Sequence, residues 1–284
     1  MSKTNNIHGY FKPTDPNLCA KVMGILNVTP DSFSDGGHFS QIDNAVRQAE
    51  QMLLEGAEII DIGGESTRPG AEAVNEAQEL DRVIPVIEAL KQRFDCLMSI
   101  ATSKATVMKE AIVAGAHMVN DVKALSEPGC VDTVAKLNVP VCLMHMRGVP
   151  RTMQANPSYT DVVDDIKAFF VQRIALCVQG GIKPEHICLD PGFGFGKTLE
   201  QNYQLLNRLD EFHSLGYPLL AGMSRKSMIG NLLNNRVEER LVGSVSCAVI
   251  ALMKGANVIR VHDVKETFEA IKIVSATKNN SGVI

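Results

Sequence analysis

The stretch Gly56-Ala57-Glu58-Ile59-Ile60-Asp61 joins a helix-ending glycine to a short apolar strand that finishes on a polar residue. The same arrangement recurs at 115–120, as Gly-Ala-His-Met-Val-Asn, and at 255–260, as Gly-Ala-Asn-Val-Ile-Arg. Glycine just past a helix supplies the left-handed backbone conformation that turns the chain back into a strand. The repeat therefore predicts several copies of one helix-then-strand unit.

Apolar runs of strand length complete this pattern. We predict further strands at Val22–Asn27, Cys96–Ala101, Val139–His145, Ile187–Asp190 and Pro218–Met223. Between them, apolar residues recur every three or four positions, as amphipathic helices require. Eight such units in 284 residues, with no break in composition, predict an α/β fold built as a single (β/α)8 TIM barrel, with a doubly wound open sheet as the alternative.

Composition narrows the class of protein. The hydrophobic content of 45% supports a large core, and a net charge of −4 gives no general attraction for nucleic acid or an anionic membrane. The seven cysteines show no CxxC spacing, which favours reduced thiols over a disulfide framework. Residues 1–12 lack the apolar segment of a signal peptide, and no run is long enough to span a membrane. We expect a cytoplasmic protein with neither nucleic-acid nor membrane partners.

Polar residues stand at the predicted strand ends. In a TIM barrel these ends form the active face. They are Asn27, Asp61, Asn120, His145, Asp190, the run Ser224-Arg225-Lys226, and Arg260 with His262. The third strand is the exception, because it ends on Ala101.

The loop after the sixth predicted strand indicates a binding site. Asp190 precedes three glycines that carry Phe193 and Phe195 between them. Neither a Walker A loop nor a GxGxxG fingerprint fits, because Pro191 and Lys197 stand where glycine is needed. Asp190 and Asn120 can hydrogen-bond the amino-and-ring-nitrogen edge of a heterocycle, or can instead be structural groups that cap loops.

Cations gather at three separated strand ends. Arg68 follows the second strand in a Pro-Gly turn, Lys226 follows the seventh, and Arg260 closes the eighth. Guanidinium groups grip phosphate through forked hydrogen bonds, and loops seven and eight are the usual phosphate location in this fold. We predict a diphosphate site there; solvated surface cations are the alternative.

Three further features concern a loop and two histidines. The loop at 27–37 places Phe33 among polar residues and suggests a lid, with an ordinary turn as the alternative. His117 begins a strand, which favours a structural role. His145, beside Met144, is a candidate for lining the pocket but has no second histidine at metal-ligand spacing.

These motifs together resemble the bacterial dihydropteroate synthases of folate biosynthesis. The resemblance runs from about Val22 to about Ala276 and is carried by the stretches 24–37, 63–70, 190–197, 224–227 and 260–262. It implies a single pterin-binding (β/α)8 domain over 1–284, with a short N-terminal extension at 1–19. It also implies a sulfonamide-targeted transferase that joins 4-aminobenzoate to 6-hydroxymethyl-7,8-dihydropterin diphosphate, releases pyrophosphate, uses Mg²⁺ and forms a homodimer.

The resemblance assigns roles to individual residues. Asp190 and Asn120 bind the pterin edge, Lys226 lies beside the ring, and Arg260 stacks on its face; these four are the candidate catalytic residues. Asn27 reaches the Mg²⁺–diphosphate. The diphosphate oxygens are assigned to Arg68, Arg260 and His262, and the 4-aminobenzoate site to Thr67, Pro69, Phe195 and Ser227. Met144 and Gly222 complete the expected substrate-binding set.

The chain departs from the family pattern at Ala101, where that pattern has an aspartate facing the reacting end of the pterin. We expect substrate binding with slowed turnover. Two alternatives remain open: a catalytically silent pterin-binding module, and a barrel that presents methyltetrahydrofolate to a corrinoid protein. The cations near 224–227 and 260–262 argue against the second, since that ligand has no diphosphate at its reacting end.

Overall fold

The computed structural model describes residues 20–29, 38–66, 74–148, 153 and 157–278. Eight parallel strands lie in the order β6-β5-β4-β3-β2-β1-β8-β7. They are β1 Lys21–Asn27, β2 Ile59–Gly63, β3 Leu97–Ala101, β4 Met118–Asp121, β5 Val141–Met144, β6 Ile187–Asp190, β7 Leu220–Ala221 and β8 Val258–Val261. A parallel bridge between Leu189 and Leu219 joins the two outer strands. The predicted TIM barrel is thereby confirmed, and the open sheet is excluded.

Helices surround the strands. In the described part of the chain they are α1 His38–Leu54, α2 Glu76–Arg93, α3 Ala105–Ala114, α4 Cys130–Leu137, α5 Val162–Gln179, α6 Leu199–Asn207, α7 Ser227–Leu233, α8 Leu241–Met253 and α9 Val264–Lys278. Short 3-10 helices occupy Pro184–His186, Leu209–Leu215 and Val237–Glu239. No helix within the described ranges has both the length and the apolarity to cross a membrane.

The repeated Gly-Ala joints adopt the predicted geometry. Gly56, Gly115 and Gly255 have φ values of 105°, 135° and 88°, in the region that favours glycine. A Cβ atom at Gly255 would also lie only 2.3 Å from Nε2 of His213. Backbone conformation and close packing both require glycine at this joint.

β3 begins one residue later than predicted, at Leu97, and β5 and β7 are also shorter than predicted. β5 begins at Val141 rather than Val139, and β7 covers only Leu220–Ala221 of the predicted Pro218–Met223. A proline precedes each of β5 and β7 and has no amide hydrogen for a sheet bond. The carbonyls of Pro140 and Pro218 still accept bonds from Val119 and Leu189, at 3.0 and 2.9 Å. The chain therefore follows the sheet beyond the regular strands.

Strand alternation layers the barrel interior. The lowest layer contains one buried residue from each strand: Met23, Ile59, Leu97, Met118, Cys142, Cys188, Leu220 and Val258. Side chains two positions further along a strand face the same side. The next layer is therefore Ile25, Asp61, Ser99, Asn120, Met144, Asp190, Gly222 and Arg260. The interior of the barrel therefore changes, over two residues along each strand, from an apolar layer to a mostly polar layer, which we call the polar layer.

Candidate active site

The polar layer unites five residues that the sequence singled out: Asn120, Met144, Asp190, Gly222 and Arg260. Asn120 and Asp190 are each 5% exposed, and Met144 is buried. Gly222 leaves room for its neighbour, because a Cβ atom there would lie 3.6 Å from Cβ of Arg260. These side chains therefore form one continuous surface inside the barrel mouth.

Asp61 is the centre of this layer. Its Oδ2 atom accepts hydrogen bonds from Nδ2 of Asn120 at 3.1 Å and from Nε of Arg260 at 2.6 Å. The Asp61 side chain is fully buried, whereas that of Arg260 remains 24% exposed. One carboxylate oxygen thus fixes the amide of β4 and the guanidinium of β8 relative to each other.

Two buried polar atoms in the same layer have no hydrogen-bond partner. Among described buried side chains, the atoms with no hydrogen-bond partner are Asp61 Oδ1, Ser99 Oγ and Glu79 Oε1. Two of them, Asp61 and Ser99, are in-register neighbours on β2 and β3. Buried polar atoms are rarely left unpaired unless water, strain or a ligand explains them. The layer is built for a polar occupant.

Asp190 ends β6 and begins the glycine loop. Its Oδ1 atom accepts the amide hydrogen of Gly192 at 2.8 Å, which ties the carboxylate to the start of the loop. Burial raises the pKa of Asp190, while Lys226 is the strongest of the nearby cations that oppose this shift. The buried carboxylate is therefore stabilised as an anion mainly by lysine.

Lys226 follows β7, the strand next to the one that ends on Asp190, and contacts the same glycine loop. Its amine donates to the carbonyl of Phe193 at 2.6 Å and lies 4.6 Å from the centre of the Phe195 ring. Burial lowers the pKa of Lys226 to about 8, with Arg260 acting in the same direction and Asp190 opposing it. Lysine, aromatic ring and glycine loop therefore form one wall.

A third ring of residues lies nearer the solvent. Asn27 and His262 stand two positions beyond the polar layer on β1 and β8, as do Gly63 and Ala101 on β2 and β3. Nδ1 of His262 lies 3.1 Å from Oγ of Ser224, which also accepts the backbone amide hydrogen of His262 at 3.1 Å. The loops after β7 and β8 are thereby tied together.

The remaining predicted residues divide into two groups. Phe195 is 8% exposed and packs with Met144 and Met153, whereas Ser227 is exposed at the start of α7. Thr67, Arg68 and Pro69 lie outside the described residues, as do positions 30–37 of the lid predicted at 27–37. Arg225 forms an ion pair with Asp263. Of the cations in the loop after β7, Lys226 is the one directed at the glycine loop.

The two candidate histidines lie outside the polar layer, and the His145 ring packs against Tyr159 and Phe169 instead of lining the predicted pocket. His117 accepts a hydrogen bond at Nδ1 from the amide of Met98 at 3.1 Å, at the foot of β3, which fits a structural role. His145 follows β5 and is buried. Burial, with help from Lys197, lowers the pKa of His145 to about 2. Its imidazole is therefore neutral.

Two residues of the site were not among those selected from the sequence. In the sequence, Asp61 is marked only by its position at the end of a predicted strand. Lys197 follows the last glycine of the loop, and the sequence indicates only that it is incompatible with a GxGxxG fingerprint. Both act through other side chains, so neither belongs to a recognisable ligand-binding pattern.

Comparison with known proteins defines the class. The family model described as pterin binding enzyme matches residues 23–262, and the chain belongs to this family. Within it, the chain is 58% identical to the dihydropteroate synthase of Escherichia coli strain K12 over 256 residues, covering 90% of this chain and 91% of that protein.

Solved structures agree. A Yersinia pestis dihydropteroate synthase with a sulfonamide drug complex superposes with a TM-score of 0.88 at 58% identity, covering 93% of this chain and 96% of that one. A Xanthomonas albilineans dihydropteroate synthase with 4-aminobenzoic acid gives 0.87 at 48% identity, covering 92% and 93%. These comparisons confirm the prediction of a dihydropteroate synthase.

The Asp61 contacts lead to a test. Asp61→Asn is expected to weaken pterin binding about tenfold, since a charge-assisted hydrogen bond contributes ~1.5–3 kcal/mol and Arg260 loses its anionic partner. Titration calorimetry with the pterin diphosphate measures this loss. Asp43→Asn, on the exposed side of α1, is the matched control. Unchanged affinity in Asp61→Asn would show that Arg260 does not need the carboxylate.

Proposed function

We propose that this chain joins 4-aminobenzoate to 6-hydroxymethyl-7,8-dihydropterin diphosphate with release of pyrophosphate, and that the polar layer holds the pterin. The observation that carries this proposal is the Asp61–Asn120–Arg260 cluster facing Asp190 across the barrel. A carboxylate and an amide can pair with the amino and ring-nitrogen edge of a pterin. The exposed part of Arg260 can stack on its flat face.

The chemistry follows from where charge develops. The bond between the pterin methylene carbon and the diphosphate oxygen breaks, and the aryl amine nitrogen of 4-aminobenzoate forms the new bond to that carbon and then loses a proton. Negative charge grows on the departing pyrophosphate. We assign its oxygens to Arg260, His262 and Arg68, because preorganised positive charge and hydrogen-bond donors at this position lower the barrier.

Lys226 and Asp190 act at the ring. The ammonium of Lys226 lies beside the pterin, while the anionic Asp190 offsets positive charge that develops on the ring as pyrophosphate leaves. We place 4-aminobenzoate against Phe195, within the pocket completed by Thr67, Pro69 and Ser227. Burial of Phe195 and Met144 excludes water from the pterin side of this pocket.

The residues present fit a magnesium ion. Gly63 leaves open space beside Asn27, because a Cβ atom there would lie 3.8 Å from Oδ1 of Asn27. No cluster of three or more histidine, cysteine, aspartate or glutamate side chains suited to a metal occurs among the described residues. Mg²⁺ commonly takes few protein ligands and completes its shell with water and substrate phosphates. Asn27 would hold the ion, which would neutralise charge on the diphosphate.

The direct test measures pyrophosphate release after both substrates are mixed with Mg²⁺. Release should require both substrates and should equal the dihydropteroate formed. Methyl transfer from methyltetrahydrofolate to a corrinoid acceptor, with no pyrophosphate release, would contradict the proposal. We further propose a cytoplasmic enzyme whose single domain spans 1–284, with a short extension at 1–19.

We also propose a homodimer formed through α8. This helix has no charged residue between Leu241 and Met253, yet one side of it is exposed, with Val242 at 76%. Ile273 on the adjacent α9 is 67% exposed. The exposed apolar side chains of this region are Leu232, Leu233, Val237, Leu241, Val242, Ile250, Met253 and Ile273. A second copy related by two-fold symmetry would cover the same face on both subunits.

The dimer proposal predicts a change of mass. Replacing Val242 and Ile250 together with glutamate should convert a dimer of the parent chain into a monomer, because four buried charges would face one another. Light scattering after size-exclusion chromatography measures the mass. Val113→Glu, an exposed apolar position on α3, should leave the mass unchanged. A monomeric parent chain would refute the proposal.

A further inference from the structure

Lys197 is a buried cation that the chemistry above does not use. Its residue exposure is 2%, among the lowest of any charged residue in the described chain. Its amine donates to the carbonyls of Gly192 and Phe195 at 2.8 and 3.1 Å, and lies 3.1 Å from Nδ1 of His145. An ammonium group has three donors and no acceptor, so all three hydrogens have partners.

The segment around this amine is tightly constrained. Gly192, Gly194 and Gly196 have φ values of 73°, 80° and 63°. A Cβ atom at Gly192 would lie 1.9 Å from the carbonyl oxygen of His145, and one at Gly196 would lie 2.2 Å from that of Arg147. The glycine loop therefore packs directly on the backbone that follows β5, with Lys197 bonded to both sides.

The same loop presents two groups to the site. The amide of Gly192 donates to Asp190, and the carbonyl of Phe193 accepts from Lys226. Gly192 and Phe195, whose carbonyls Lys197 holds, flank Phe193 in the chain. Displacement of these carbonyls would move the acceptor of Lys226 and the donor to Asp190 together.

We propose that Lys197 is a positioning residue of the active site, whose buried amine holds the glycine loop so that Asp190 and Lys226 meet the pterin in fixed geometry. This proposal rests on the proposed function for its ligand, although the loop geometry can be measured without one. It assigns no contact between Lys197 and substrate. His145 supports the arrangement, because its neutral ring can accept a hydrogen bond from the amine.

The positive charge of Lys197 also affects the pKa of Asp190. The charge of Lys197 helps to lower the pKa of Asp190, after burial, which raises it, and Lys226, which lowers it more. Burial lowers the pKa of Lys197 itself to about 7, with Asp190 opposing and Lys226 and Arg147 assisting. Lys197 is therefore mostly protonated below about pH 7, where its charge acts on Asp190. Arg260 is the remaining cation that acts on this carboxylate.

The first measurement is amide hydrogen exchange of the ligand-free protein, followed by mass spectrometry over 188–199. Lys197→Met keeps the length and removes the donors, so exchange in this segment should quicken at least tenfold while the barrel strands are unchanged. Lys109→Met, at an exposed position on α3, should behave as the parent chain. Unchanged exchange in Lys197→Met would overturn the proposal whether or not the protein binds pterin.

The second measurement is pterin affinity against pH. Lys197→Met should weaken binding about tenfold, and its acid limb should move to higher pH because Asp190 becomes easier to protonate. Lower thermal stability with an unshifted pH profile and parental affinity would reduce Lys197 to a structural residue and refute the proposal. If the methionine variant does not fold, Lys197→Arg replaces it, because the longer guanidinium should also speed amide exchange in 188–199. Exchange at the parental rate in Lys197→Arg would likewise refute the proposal.

Discussion

Asp190→Asn is expected to lower pterin affinity by about 10- to 150-fold, the equivalent of ~1.5–3 kcal/mol for a charge-assisted hydrogen bond. The amide oxygen of asparagine can still accept from Gly192, so the glycine loop should keep its shape. The amide nitrogen, however, is a donor and would face the donor edge of the pterin. The substitution therefore removes recognition with little change in the surrounding fold.

Calorimetric titration with the pterin diphosphate measures this effect, and the thermal midpoint checks the fold. Burial raises the pKa of Asp190, so parental binding should weaken as the pH falls through the pKa of this carboxylate. The asparagine variant should lose that acid limb. Parental affinity in Asp190→Asn, or an acid limb that persists, would show that the anchor lies elsewhere.

Much of this architecture follows from local sequence signals. The Gly-Ala joints and the polar strand ends predict the barrel and its active face, because both depend on a few neighbouring residues. Five predicted site residues share the polar layer since strand alternation alone places them there. The prolines before β5 and β7 account for the strands that were predicted too long.

Long-range pairing could not be predicted in the same way. Arg260 and Asp61 are separated by 199 positions in the chain, and their contact depends on β8 and β2 lying on either side of β1. The Lys197 contacts are partly of the same kind, because its bond with His145 spans 52 positions and forms only when the glycine loop packs on the segment after β5. Ligand-binding side chains form motifs, whereas the residues that position them are recognised only after folding.

Ala101 was identified from the local sequence pattern, and its strand pairing shows which residues lie beside it. It ends β3 in register with Gly63 on one side and Asn120 on the other. A Cβ atom at Gly63 would still lie 3.6 Å from that of Ala101. Neither Gly63 nor Ala101 brings a large side chain to the third ring, and Ala101 itself is only half-buried. Because Ala101 lies two positions beyond Ser99 on β3, we expect a longer side chain here to point toward the barrel mouth.

Ala101→Asp is accordingly expected to raise kcat/KM by about tenfold to a hundredfold, because ~1.4–2.8 kcal/mol of transition-state stabilisation corresponds to that gain. The new carboxylate would face the reacting end of the pterin, where positive charge develops as pyrophosphate leaves. Ala101→Asn is the matched control, since it has nearly the same size and no charge. Steady-state pyrophosphate release by the parent and both variants measures the difference.

The four possible outcomes distinguish the remaining hypotheses about this chain. A gain in the aspartate variant alone identifies charge compensation as what the parent lacks, and a gain in both variants attributes the change to filled space. Equal rates in all three would show that position 101 is unimportant and that the expectation of slowed turnover is wrong. Tight pterin binding with no turnover, even in Ala101→Asp, would instead identify a pterin-binding module, because Asp190, Asn120 and Arg260 suffice to hold the ring without activating it.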